Sequence, residues 1–104
     1  MLMTFKRLVK RPLKYEITIM QTPNPGDRNG YRQVYKMSLK GHSHSDVISQ
    51  VFRNFNVSDR LPKDFHARYV GTRDIILIDE GTRGKYYYKL LSGGWKPVQL
   101  HSHA

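Results

Sequence analysis

An α+β domain is predicted, with one amphipathic helix packed on an antiparallel sheet of about five or six strands in the chain order β-β-α-β-β-β. Three observations predict it. Runs in which polar and apolar residues alternate recur on both sides of one segment with helical periodicity, and turn residues separate the runs. The last turn, Gly93-Gly94, opens on the lone tryptophan, Trp95. At 104 residues the chain suits a single core. It divides into a basic N-terminal arm (residues 1–12), one domain (13–100) and a short tail (101–104).

The arm places Leu2, Phe5, Leu8 and Val9 where they could line one side of a short helix, which Pro12 would end. Such a segment suits weak contact with a membrane surface or a partner, or serves as a terminal arm covering an edge of the core. In residues 14–20, Tyr15, Ile17 and Ile19 alternate with Lys14, Glu16 and Thr18, which is a strand with one buried face. Residues 22–30 hold two prolines, two glycines and two asparagines and read as a loop. The second strand covers residues 31–39, with Tyr35, Met37 and Leu39 toward the core and Arg32, Lys36 and Lys40 pointing the other way.

Ser43 can accept from free amides at a helix start, and Asp46 suits the positive end of the helix dipole. Val47, Ile48, Val51, Phe52 and Phe55 then form one apolar stripe, and Asn56 ends the helix. Burying those side chains contributes on the order of 10 kcal/mol before entropy is subtracted. Residues 58–64 form a crossing loop, residues 65–70 extend into the sheet, and Thr72-Arg73-Asp74 makes a polar turn in which Asp74 bonds its own backbone. Ile75 to Ile78 are apolar on both faces, as a central strand requires. After a glycine-bearing connection, Tyr86 to Leu91 form the next strand. Residues 95–100 form the last, placed at a sheet edge because Pro97 lacks an amide donor.

With 18 basic and 8 acidic residues the net charge is +10, and 5 of those charges fall in residues 1–14. This field concentrates polyanions, whether nucleic acid, anionic lipid or an acidic protein face. The absence of cysteine excludes disulfides, thiolate metal sites and a cysteine nucleophile. There is no apolar run of the roughly 18 residues that a membrane span needs, and basic residues interrupt any secretory-type stretch at the start. A cytoplasmic protein is expected.

No set of acid, base and nucleophile converges in the sequence, so a non-enzymatic protein is expected, with no cofactor and no metal. His42 with His44, and His101 with His103, have a spacing that a divalent metal could use. Neither pair is expected to have an acid placed to orient an imidazole, so both are expected to be solvated. Asp79 and Glu80 read as turn acids balancing Arg83 and Lys85. Gly81-Thr82-Arg83-Gly84-Lys85 only loosely imitates a phosphate loop, because neither a hydroxyl residue nor a helix follows the lysine.

The expected function is contact with an acidic protein surface, carried by Arg32, Lys36, Arg53, Arg68, Arg73, Arg83, Lys85 and Trp95. The alternative is nucleic-acid binding by a sheet on which Arg68, Tyr69, Arg83, Lys85, Tyr86, Tyr88 and Lys89 interleave cations with aromatics.

Several segments, taken in order, resemble the YodL-like proteins of Bacillus and related spore-forming bacteria. They are Lys14-Tyr15-Glu16-Ile17-Thr18, Gly30-Tyr31-Arg32-Gln33-Val34-Tyr35, Val51-Phe52-Arg53-Asn54-Phe55-Asn56-Val57, Asp74-Ile75-Ile76-Leu77-Ile78-Asp79-Glu80-Gly81, Tyr86-Tyr87-Tyr88 and Gly93-Gly94-Trp95. The similarity runs from about residue 12 onward. More divergent relatives usually carry glycine before the aspartate, where Arg73 stands in this chain. The resemblance brings no established catalytic residues. It implies a small cytoplasmic regulator linked to cell-shape control through contact with an actin-like filament protein.

Overall fold

In the computed structural model, residues 11–56 and 61–99 are described. The expected helix carrying Leu2, Phe5, Leu8 and Val9, positions 58–60 of the crossing loop, Leu100 and the His101/His103 pair lie outside them. The alternating runs become strands β1 (Leu13–Gln21) and β2 (Arg32–Gly41). The apolar stripe becomes helix α1 (His44–Phe55), and the last third forms β3 (Ile75–Asp79), β4 (Lys85–Leu91) and β5 (Gly94–Val98). A 3-10 turn over Gly81–Arg83 joins β3 to β4.

All five strands pair antiparallel in one sheet, in the order β2-β1-β3-β4-β5. Strand β3 is central, and Ile75, Ile76, Leu77 and Ile78 are all buried, as their uninterrupted apolar character requires. Strand β5 is an edge, which accommodates Pro97.

Residues 65–70 do not join the sheet. Both sides of β3 are already paired, and the two buried apolar residues of this segment, Phe65 and Val70, are five positions apart, out of step with a strand's period of two. The segment instead crosses the end of α1, where the Val70 amide donates to the Phe55 carbonyl at 2.9 Å.

Helix α1 starts where Ser43 Oγ accepts from the Asp46 amide at 3.1 Å and ends at Asn56. Val47, Ile48, Val51 and Phe55 are buried against Tyr15, Ile17 and Ile19 of β1 and Ile76 and Ile78 of β3. Phe52, expected in the same stripe, is only half-buried. Gly41, the last residue of β2, passes directly beneath the first turn of the helix. A Cβ there would sit 2.5 Å from Val47 Cγ1.

Register fixes which side chains share the second face of the sheet. Lys14, Glu16, Thr18 and Met20 of β1 stand level with Lys40, Ser38, Lys36 and Gln33 of β2. On the other flank, Ile75, Leu77 and Asp79 stand level with Lys89, Tyr87 and Lys85. No described helix covers this side. The pairing shifts between Ile19 and Met20, so that Ile19 faces Tyr35 while Met20 faces Gln33, and Val34 is the extra residue of a bulge. The bulge reverses the phase of β2. Arg32 therefore points to the opposite side of the sheet from Lys36, whereas unbroken alternation puts them together.

Candidate binding surfaces

The residues expected to contact a partner fall on separate surfaces. Arg53 and Trp95 meet in a groove between the outer flank of α1 and the β4–β5 edge. It encloses about 620 Å³ and is lined by Ser49, Phe52, Arg53, Leu90 and Trp95 among others. Trp95 packs edge-on against Phe52 with ring centroids 6.1 Å apart. Both rings remain half-exposed, and Arg53 is exposed beside them with no ion-pair partner among the described residues. Trp95 and Ser49 also border a smaller hollow of about 380 Å³ with His44, Ile48 and Tyr88, so the depression extends along the helix.

Lys36 and Lys85 lie instead on the side of the sheet that no described helix covers. Arg83 is in the 3-10 turn, where its Nε is 3.5 Å from the Glu80 carboxylate. Arg73 occupies the turn before β3 with φ of 72°, a left-handed conformation that glycine adopts without strain. Its amide donates to Leu90 O at 2.7 Å, and its carbonyl accepts from Tyr31 Oη at 2.5 Å.

Arg32 and Arg68 border a polar cleft of about 480 Å³ with Gln21, Thr22, Asp64 and His66. The Arg68 guanidinium is held internally: Nη1 donates to Thr22 O and Nη2 to Asp74 Oδ1, each at 2.9 Å. Asp74 is the hub of this corner. It bonds its own turn as expected, accepting from the Gly71 amide at 2.8 Å, and it also accepts from Gln21 Nε2 at 3.0 Å. Burial lifts its carboxyl above the ordinary aspartate pKa, while the Gly71 amide, Gln21 and Arg68 pull the other way.

The cation–aromatic set suggested for nucleic acid does not share one face. Tyr86 and Tyr88, opposite Ile78 and Ile76, turn toward the helix side, whereas Lys85, Tyr87 and Lys89 turn away from it. Tyr69 is exposed in the crossing segment.

His44 departs furthest from expectation. It is not a solvated imidazole without an acid. Its Nε2 contacts the Glu80 carboxylate, its Nδ1 lies 2.6 Å from the Tyr88 hydroxyl, and the rings of Tyr15, Tyr86 and Tyr88 surround it edge-on. Burial, reinforced by the Glu80 charge, raises the Tyr88 pKa and keeps the phenol protonated. With both ring nitrogens engaged, His44 ties the start of α1 to the β3–β4 connection and does not converge with His42, which is exposed. Glu80 is 36 positions away, so local spacing could not disclose the contact. The available signal was the strand phase that sends Tyr86 and Tyr88 toward the helix.

Over 98 residues the chain is 48% identical to the Bacillus subtilis (strain 168) protein described as "Uncharacterized protein YodL", a match covering 94% of this chain and 91% of that one. No family model matches, and no solved structure matches. No described helix is long and apolar enough to cross a membrane.

Proposed function

The chain belongs to the YodL family, and on that premise we propose that it is a small, non-enzymatic, cytoplasmic regulator that works by protein–protein contact. The groove between α1 and β5 supports this reading more than any other feature. A tryptophan and a phenylalanine form an apolar floor with an arginine at the rim that has no ion-pair partner among the described residues, and buried aromatic and arginine anchors of this type dominate protein interfaces. An acidic segment bearing one large apolar side chain fits it, with the apolar group on Trp95 and a carboxylate on Arg53. An actin-like filament protein, acting in cell-shape control, is the partner to which the family resemblance points.

The reading is tested by co-sedimentation of the purified chain with assembled actin-like filaments, comparing Trp95→Ala and Arg53→Glu with the unmodified protein. Each substitution should weaken association by at least about tenfold and leave secondary structure intact by circular dichroism. Undiminished binding by both variants would remove the groove from the function. Failure of the unmodified chain to sediment would remove the filament as partner.

A further inference from the structure

The sheet carries a second surface that the groove does not use. Six lysines, Lys14, Lys36, Lys40, Lys85, Lys89 and Lys96, share the side that no described helix covers with two carboxylates, Glu16 and Asp79, leaving +4 among these residues. Both carboxylates are engaged locally, Glu16 by the Ser38 hydroxyl and Asp79 by the Gly81 amide, each at 2.8 Å. Two pairs of lysines stand directly opposite one another across neighbouring strands, Lys14 with Lys40 and Lys89 with Lys96. Like charges so placed repel, and a bound polyanion relieves the repulsion.

The lysines form two banks, one on β1–β2 and one on β4–β5. Between them runs a level row of Thr18, Leu77 and Tyr87, in which Thr18 and Leu77 are buried and the half-buried Tyr87 ring supplies the accessible surface. Strands β2 and β4 are three strand spacings apart, about 14–15 Å. We propose that this face binds single-stranded nucleic acid without sequence preference, the lysine banks neutralising phosphates and Tyr87 stacking on a base.

Three features favour this ligand over an acidic protein. The cations are spread over four of the five strands instead of clustered around an apolar anchor. All six are lysine, a flexible point charge that tracks a phosphate chain without the planar fork that arginine offers to carboxylates. An aromatic platform among cations is how a sheet holds unpaired bases. Lysine ammonium groups contact phosphates and not base edges, so affinity should follow salt and not sequence.

Fluorescence anisotropy of a labelled oligothymidylate of about 20 nucleotides, titrated with the full chain between about 50 and 200 mM salt, tests the proposal. With six phosphate contacts, log K should fall with log salt at a slope of about −4. Lys36→Glu/Lys96→Glu should abolish the signal at the upper end of that range, and Tyr87→Ala should weaken binding by about tenfold. Arg32→Glu/Arg53→Glu changes the net charge equally but on the other side of the sheet, and should retain more than half the affinity. Trp95→Ala should bind like the unmodified chain, so failure of the groove and failure of this face are separable. Absence of binding at low salt would overturn the proposal, as would equal losses in the two charge-reversed doubles. Displacement of the oligonucleotide by polyglutamate at equal charge concentration would overturn it by assigning the face to an acidic protein.

Discussion

The carboxylate of Asp74 and the guanidinium of Arg68 meet at 2.9 Å, with Asp74 only 1% exposed and its second oxygen accepting from Gln21 and the Gly71 amide. Together they clamp the end of β1 to the turn that launches β3. Arg68→Ala should therefore cost about 2 kcal/mol at neutral pH, because it leaves a buried carboxylate short of a charged donor.

The sign of the pH dependence follows from the raised pKa of Asp74. The folded chain holds this proton more tightly than the unfolded chain does. The group's contribution to stability is thus fully present below the ordinary aspartate range and is lost as pH rises through the folded value. Removing Arg68 takes away one influence that lowers that value, so the deficit of Arg68→Ala should shrink between neutral pH and about pH 4. Urea unfolding at the two pH values measures it. A deficit that is constant or grows on acidification would show that the pair is not the source of the loss.

Arg73 adopts a backbone conformation that disfavours any side chain, and both of its main-chain hydrogen bonds survive replacement by glycine. Relief of the left-handed strain, about 1–2 kcal/mol, exceeds the entropic cost of glycine in the unfolded chain. Arg73→Gly should raise the melting temperature by several degrees. A lower value would mean that the arginine side chain contributes more than its strained backbone costs.

Gly41→Ala tests the opposite constraint. No positive φ is required here, but the added methyl would collide with Val47 Cγ1 at 2.5 Å and approach Asp46 Oδ2 at 3.0 Å. Since the helix start is held by its own cap and β2 by the sheet, neither yields freely, and a loss of about 1–3 kcal/mol is expected. Calorimetry showing no change would place the helix on a looser footing than the contacts indicate.

The His44–Glu80 contact links α1 to the β3–β4 connection across 36 positions. A double-mutant cycle with His44→Ala and Glu80→Ala should give a coupling energy of about 1–2 kcal/mol, since the pair shares one network with Tyr88. Additive losses would show that the two ends are held independently.

The elements with clean periodicity were readable from the residues. The stripe from Val47 to Phe55 gave α1, the alternation from Tyr15 to Ile19 gave β1, and Pro97 placed β5 at an edge. What escaped depends on contacts between distant segments. Phe65 and Val70 are core residues without being strand residues, because the sheet has no free side of β3 for them to join. Arg32 changed sides because one inserted residue, Val34, cannot be told from regular alternation until its partner strand is known. Arg68, an exposed cation by composition, has its charge directed inward by a buried aspartate. The groove is half legible: Arg53 and Trp95 both belong to the set expected to contact a partner, but their meeting in one groove requires the helix to lie along β4 and β5.

The two ends of the sheet differ in what they offer to another copy of the chain. On β5 the ring of Pro97 removes one donor from a ladder only five residues long. On β2 the bulge twists a longer edge partway along, and the ammonium groups of Lys36 and Lys40 repel any like-charged strand that approaches. Neither described border is a good template for edge-to-edge zippering with a second copy.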